Sequence, residues 1–131
     1  MFAGKSGIFV LHILVLLSIF AFRNQFMAGE WLSTASLIAI GFLMTVAAVM
    51  ELDKTKGLAT SGIYSRIRHP IYYGKILLFT GIALFFGSGL GLALIVLVLI
   101  PLHIHIIRNE EKLLAKRYGK KYGRYKKQTL F

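Results

Sequence analysis

The sequence predicts an all-α protein: an integral-membrane bundle of about four transmembrane helices, followed by a short amphipathic C-terminal helix. Two observations carry this prediction. Of the 131 residues, 56% are hydrophobic, and they are concentrated in four blocks, whereas a soluble domain of this size has a lower apolar fraction. The chain also has a formal net charge of +11, and its basic residues are sorted between the blocks. The length predicts a single domain, residues 1–131.

The four apolar blocks define the predicted spans. A helix needs about 20 mostly apolar residues to cross a bilayer, and about 17 is the usual lower bound. The second and fourth blocks meet this length, whereas the first and third reach it only with flanking residues. The spans, in chain order, are approximately residues 7–22, 31–50, 72–87 and 90–107. The segment after the first block, 23–30, is a poor signal-peptide cleavage site, so we expect that block to be a membrane helix.

The basic residues alternate with the predicted spans. Lysine or arginine occurs once before the first apolar block, five times between the second and third blocks, counting Lys75 at the start of the third span, and nine times after the fourth. It occurs once between the first and second spans, and the third–fourth turn has none. The positive-inside rule therefore predicts that both termini, the loop 51–71 and the tail 108–131 are cytoplasmic. The membrane would be a bacterial or archaeal inner membrane, or the endoplasmic reticulum in a eukaryote.

This sorting of charge also predicts the partners. In a soluble nucleic-acid-binding protein, basic residues would not alternate between successive connections of apolar helices. We therefore expect that nucleic acid is not a partner. The expected partners are the lipid bilayer and a lipophilic substrate. The basic tail can also anchor the protein to anionic headgroups.

The third predicted helix begins beside a group of polar residues. Pro70 suits the first position of a helix, which places Arg68 and His69 next to the free backbone N–H groups and the positive dipole end. Such a helix start binds a carboxylate or phosphate. Tyr72 and Gly74 follow on the first turns, where a glycine permits close approach of a ligand or of another helix.

The tail combines acids, glycine and tyrosines. Glu110 and Glu111 are its only acids, and Gly119 has the position of a helix C-cap. Three tyrosines recur every three or four residues, namely Tyr118, Tyr122 and Tyr125. This spacing predicts a short helix along the membrane surface, and an aromatic belt is the simplest interpretation of the tyrosines.

The histidines of the helices do not predict a metal site. His12 is alone in the first span, and we expect it to make a helix–helix hydrogen bond. His103 and His105 are two residues apart, so they project from different faces of a helix. The chain has no cysteine. We therefore predict no bound metal, and structural packing for all three histidines.

The order and spacing of these motifs resemble the integral-membrane methyltransferases, which comprise isoprenylcysteine carboxyl methyltransferase and the phospholipid N-methyltransferases. The resemblance covers residues 58–127, and the first two helices match only as generic spans. Its residues are Gly62, Tyr64, Arg68, His69, Pro70, Tyr72 and Gly74, then, after an apolar hairpin, Glu110, Glu111, Leu114, Tyr118, Gly119, Tyr122 and Tyr125.

The resemblance implies an enzyme that transfers a methyl group from S-adenosylmethionine, bound at the cytoplasmic face, to a lipophilic membrane substrate. The acceptor would be a lipid amine or an isoprenylcysteine-like carboxylate. The implied catalytic residues are Arg108 and Glu110. The implied cofactor-binding residues are Tyr64, Arg68, His69, Tyr72, Gly74, Glu110 and Glu111.

One position departs from the family pattern. In the isoprenylcysteine enzymes an arginine one helical turn before the glutamate pair is thought to orient the substrate carboxylate. Ile106 occupies that position here, and Arg108 is two residues before Glu110, on a different helix face. The departure favours a lipid amine, or another small membrane-soluble nucleophile, as the acceptor.

Two other functions fit the sequence. Sterol reductases share a related C-terminal fold and use NADPH. A non-enzymatic membrane protein could instead dock anionic lipid through the basic tail, with Arg68, His69 and Glu110 serving topology and packing.

Overall fold

The computed structural model describes residues 2–23 and 31–130, and it describes side chains from residue 7 onward within these ranges. The described residues form helices and no strand, which confirms the all-α prediction. The helices are α1 (Phe2–Ala21), α2 (Trp31–Lys54), α3 (Pro70–Phe85), α4 (Gly89–Tyr118) and α5 (Lys120–Gln128), with a 3-10 turn at Gly62–Ser65. Residues 24–30, which make up most of the segment that we expect not to be cleaved, lie outside the described residues, and so does Phe131.

Two of these helices are long and apolar enough to cross a membrane. They are α2 and α4, and only 17% and 22% of their most apolar windows are buried. The core helix of a soluble protein would be mostly buried, whereas large side chains such as Trp31 and Leu97 are both 73% exposed. Together these features indicate a membrane protein. The apolar parts of α1 and α3, Gly7–Ala21 and Pro70–Phe85, are shorter.

Helices α2 and α3 pack with their backbones in close contact. A Cβ atom added to Gly41 would lie 2.5 Å from the backbone nitrogen of Leu78, and one added to Gly81 would lie 2.9 Å from the backbone nitrogen of Ile38. A Cβ on Gly74 would collide with Thr45. Small residues allow this approach, which is a common basis of helix association in membranes.

Contacts among the other helices form one apolar core. Side chains of α1, α3 and α4 meet in it and are almost fully buried; they are Val15, Ile19, Phe79, Ala83, Ile95 and Leu99. A smaller cluster of Ala48, Ala59 and Tyr64 joins α2 to the loop that follows it. The first core fixes α1 against the hairpin of α3 and α4, and the second holds the loop against α2.

Helix α4 is about 45 Å long at 1.5 Å per residue, longer than the hydrocarbon core of a bilayer. A π-helical turn at Ile95–Leu99 interrupts it just before Pro101. Proline lacks a backbone N–H and its ring crowds the carbonyl four residues earlier, which the wider turn accommodates. The helix ends at Gly119, whose φ is +48°, so the predicted C-cap is confirmed.

Candidate functional site

A cavity of about 840 Å³ lies between α1, α2 and α3 and reaches the residues of α4 and α5 beyond the apolar spans. Most of its wall is apolar, with residues such as Phe9, Leu16 and Val46. Its polar lining is concentrated in the loop, the start of α3 and the tail, and includes Tyr64, Arg68, His69, Tyr72, Glu110, Tyr122 and Tyr125. The chain therefore encloses an apolar chamber with a polar end.

The polar end is built on the start of α3. Pro70 occupies the first turn and His69 is the N-cap residue, without a capping side-chain hydrogen bond. The His69 ring is only 6% exposed, with Nδ1 3.8 Å from Glu110 Oε2 and Nε2 3.5 Å from Glu111 Oε1. Burial lowers the pKa of His69, although the two carboxylates oppose this shift. The imidazole is therefore neutral near pH 7.

Three buried polar atoms of cavity-lining residues make no well-formed hydrogen bond among the described residues. They are His69 Nε2, which lies 3.5 Å from Glu111 Oε1, Glu110 Oε2, which lies 3.8 Å from His69 Nδ1, and the Tyr122 hydroxyl, which interacts with Glu111. Buried polar groups in folded proteins are nearly always hydrogen-bonded, so unpaired ones call for a reason. All three belong to one cavity, and they comprise a carboxylate oxygen, an imidazole nitrogen and a hydroxyl. The set is suited to a polar ligand that carries hydrogen-bond donors.

Two tyrosines connect α5 to the loop. The Tyr125 hydroxyl donates a hydrogen bond of 2.7 Å to the carbonyl of Tyr64. Burial, together with the charge of Glu110, raises the pKa of Tyr64 to about 12. Tyr122 and Tyr125 are only 3% and 6% exposed. The expectation that they belong to an aromatic belt is therefore wrong, because α5 folds back and buries them over the cavity.

A network of charged residues holds the tail against the loop. Arg68 Nε lies 3.0 Å from Glu111 Oε1, and Lys126 Nζ lies 2.9 Å from Glu111 Oε2. Arg68 Nη1 also donates to Thr129 Oγ1 at 2.9 Å. Burial alone would raise the pKa of Glu111, but the hydrogen bond and charge of Lys126, with Arg68, outweigh it and lower this pKa. We call Arg68, Glu111, Lys126 and Thr129 the tail clamp.

Besides Glu111 of the tail clamp, two predicted site residues lie away from the cavity lining. Gly74 is buried in the α2–α3 contact, where Thr45 and the carbonyl of Gly41 face it. Arg108 is exposed on α4 and lines a separate surface groove of about 430 Å³, which it shares with Glu111. Their positions are those of a packing residue and a surface residue, so neither enters the proposal below.

The structure brings additional residues to the cavity. His12 and Lys75 line its inner part, and the His12 ring packs 5.4 Å from that of His103 and 5.1 Å from that of Phe79, centroid to centroid. The expected helix–helix hydrogen bond of His12 is wrong, because its Nδ1 contacts the carbonyl of Ile8 in its own helix. An ionisable residue inside an apolar span was the one signal in the sequence for His12 and Lys75.

Comparisons with known proteins identify the family of the chain. The phospholipid methyltransferase family matches residues 7–121, which is most of the chain, and the protein belongs to this family. It is also 28% identical over 101 residues to the protein-S-isoprenylcysteine O-methyltransferase of Schizosaccharomyces pombe (strain 972 / ATCC 24843). The matched region is 77% of this chain and 43% of that protein. No solved structure matches the chain.

Proposed function

We propose that this protein transfers a methyl group from S-adenosylmethionine to a lipophilic acceptor, a lipid amine or an isoprenylcysteine-like carboxylate, at the cytoplasmic face of a membrane. Family membership supports methyl transfer. The observation that carries the rest is the group of buried polar atoms of His69, Glu110 and Tyr122, none with a well-formed hydrogen bond among the described residues, on the lining residues of one largely apolar cavity. A polar cofactor and an apolar substrate would each find a matching part of this cavity.

The residues present fit this cofactor. The cavity volume of about 840 Å³ lies in the range of small-molecule sites. Glu110 is suited to the cofactor's ammonium, and the faces of Tyr64 and Tyr122 to its sulfonium. Its carboxylate suits the start of α3, which has no side-chain cap, because the positive end of a helix dipole favours an anion. The bound cofactor would supply an electrophilic methyl group.

The rest of the chain would position and enclose the reactants. The tail clamp and the Tyr125–Tyr64 hydrogen bond hold α5 over the polar end, which limits the access of water. A dry site strengthens the electrostatic interactions within it, and holding two reactants in line removes much of the entropic cost of their meeting. Arg68 and Glu111 act here as structural residues of the tail clamp rather than as direct cofactor ligands.

The distribution of basic residues along the chain supports the cytoplasmic location. With α1 to α4 as four spans, the loop before α3 and the tail lie on the side that carries nearly all basic residues. The cofactor would enter from this side, and the acceptor would enter laterally from the bilayer. In this topology residues 1–131 form one transmembrane domain with both termini in the cytoplasm.

Calorimetric binding of S-adenosylhomocysteine to detergent-purified protein tests the proposal. We expect micromolar binding by the unmodified protein and none by a His69→Ala/Glu110→Ala double variant. His105→Ala is the matched control, because His105 is exposed and bonded only to Asn109 among the described residues. Absence of binding by folded, unmodified protein would contradict the proposal. A parallel titration with NADPH tests the reductase alternative.

A further inference from the structure

His12 and His103 form a second polar group in the apolar part of the bundle. His12 is 8% exposed and lines the cavity, and His103 is fully buried behind it. The rings pack edge to face, and the His103 ring also packs against that of Tyr72, 5.3 Å away. Neither Nε2 atom has a hydrogen-bond partner among the described residues. A pair of buried imidazoles with unpaired nitrogens inside membrane helices indicates a function beyond packing.

The backbone determines which nitrogen of each ring carries the proton. Nδ1 of His12 lies 2.6 Å from the carbonyl oxygen of Ile8, and Nδ1 of His103 lies 2.8 Å from that of Leu99. A carbonyl oxygen only accepts hydrogen bonds, so each Nδ1 must be the donor. In a neutral imidazole the other nitrogen is then an acceptor. Both Nε2 atoms therefore present a lone pair without a donor.

We propose that His12, backed by His103, is the subsite for the methyl acceptor, and that this acceptor is an amine. An amine N–H donates to His12 Nε2, which holds the nitrogen and directs its lone pair toward the methyl group. As the new N–C bond formed, the S–C bond of the cofactor would break and release S-adenosylhomocysteine, and His12 Nε2 would accept the proton lost from the methylated nitrogen. A carboxylate has only lone pairs and cannot satisfy this acceptor. The inference rests on the proposed function and decides between its two acceptor classes.

The charged groups around His12 are consistent with an amine nucleophile. Lys75 of α3 lines the same cavity, and in its protonated form it would oppose a second positive charge nearby. It therefore favours the uncharged amine, which is the nucleophilic form. Glu110, His69 and Tyr72 face the cavity from the cytoplasmic side. Lys75 by itself could pair with a carboxylate, so a carboxylate probe belongs in the test.

The depth of the pair suits a lipid headgroup. His12 is five residues from Gly7, where the first apolar stretch begins, and His103 is four residues before the end of the fourth apolar block at Ile107. At 1.5 Å per residue both rings lie about 6–8 Å inside the cytoplasmic ends of the spans. An amine attached to a membrane-embedded chain reaches this level without leaving the bilayer.

Nuclear magnetic resonance of histidine-labelled protein in micelles tests the inference directly. The chain has four histidines, so substitutions assign each signal. Dodecylamine should shift the His12 Nε2 resonance. Dodecyltrimethylammonium, which has the same chain but no N–H donor, should leave it unchanged, and so should dodecanoate. The inference is overturned if dodecanoate alone shifts the signal or if no probe does.

Variants of His12 separate hydrogen bonding from packing. His12→Gln retains an acceptor oxygen near the Nε2 position and should keep dodecylamine affinity within about threefold, whereas His12→Phe should weaken it at least about tenfold. His105→Phe should match the unmodified protein. Binding of S-adenosylhomocysteine shows that each variant is folded. If that ligand binds but dodecylamine does not contact His12, only this inference fails; if it does not bind the unmodified protein, the proposed function fails as well.

Discussion

Glu110 and Glu111 are adjacent in the chain but serve different parts of the structure. Glu110 lines the cavity, with Oε2 buried and without a well-formed hydrogen bond among the described residues. Glu111 carries the tail clamp, with Arg68 at 3.0 Å and Lys126 at 2.9 Å. Neighbouring residues of a helix point about 100° apart, which allows one to face a ligand while the other faces the tail. The acidic pair therefore combines a binding residue with a structural one.

This division predicts opposite effects for two matched substitutions. Glu110→Gln should weaken S-adenosylhomocysteine binding at least about tenfold with little change in the melting temperature. Glu111→Gln should destabilise the protein by about 1–2 kcal/mol, since hydrogen bonds to charged groups are lost and Lys126 is half exposed. Thermal unfolding and calorimetry on both variants measure the difference. The division would be contradicted if Glu111→Gln weakened S-adenosylhomocysteine binding as much as Glu110→Gln does and left the melting temperature unchanged.

The lowered pKa of Glu111 predicts acid sensitivity of the tail. A carboxyl group whose pKa is lower in the folded state stabilises that state above its unfolded value, and this stabilisation is lost as the pH falls through the folded value. Hydrogen exchange of Lys120–Gln128 should be constant from pH 7 to about 5, after correction for intrinsic rates. Protection should decline below the ordinary glutamate value of 4.5. Glu111→Gln should remove this pH dependence; if it persists, another group is responsible.

Replacement of each buried tyrosine of α5 by phenylalanine should lower the free energy of unfolding by a different amount. Tyr125→Phe removes the hydrogen bond to the Tyr64 carbonyl and leaves that carbonyl unpaired, which should cost about 1–2 kcal/mol. Tyr122→Phe removes a hydroxyl that makes no well-formed hydrogen bond among the described residues and has only a weaker interaction with Glu111, so it should change stability by less than about 0.5 kcal/mol. Thermal unfolding compares them. A larger cost for Tyr122→Phe would show that the tail is held differently.

The α2–α3 contact predicts that Gly74 matters for folding. Gly74→Ala places a methyl group against Thr45 and 2.9 Å from the carbonyl of Gly41, and overpacking of this kind costs about 1–3 kcal/mol. Gly7→Ala in α1 is the control, because nothing lies within 4 Å of its added Cβ. Melting temperatures test this. Unchanged stability with lost cofactor binding in Gly74→Ala would instead support a direct role in the cofactor site.

The four-span topology predicts the accessibility of introduced cysteines. The chain has no cysteine of its own, so each substitution reports alone. Arg23→Cys should react with an impermeant maleimide in intact cells, whereas Ser65→Cys and Lys127→Cys should react only after permeabilisation. All three positions are exposed, so burial does not limit labelling. Labelling of Arg23→Cys and Ser65→Cys under the same conditions would contradict four spans.

The sequence was sufficient to predict the helices, because apolar blocks and glycine or proline at their ends are local signals. Pro70 at the start of α3 and Gly119 at the end of α4 were both predicted and are observed. The roles of Gly74 and Tyr122 were not predicted. A glycine that allows close approach of a ligand has the same local sequence pattern as a glycine that allows close approach of a helix. Burial of Tyr122 depends on α5 folding back over the loop, which is a tertiary contact without a local signal.

Transfer of a radiolabelled methyl group tests the central claim most directly. Purified protein would be incubated with methyl-labelled S-adenosylmethionine in bilayers of total lipid extract, and the lipid phase would be counted. The account predicts label in a lipid with the unmodified protein and with His105→Ala, and a reduction of at least about tenfold with Glu110→Gln. The account would be contradicted if Glu110→Gln transferred as much label to lipid as the unmodified protein. It would also be contradicted if the unmodified protein bound S-adenosylhomocysteine but transferred no label to lipid.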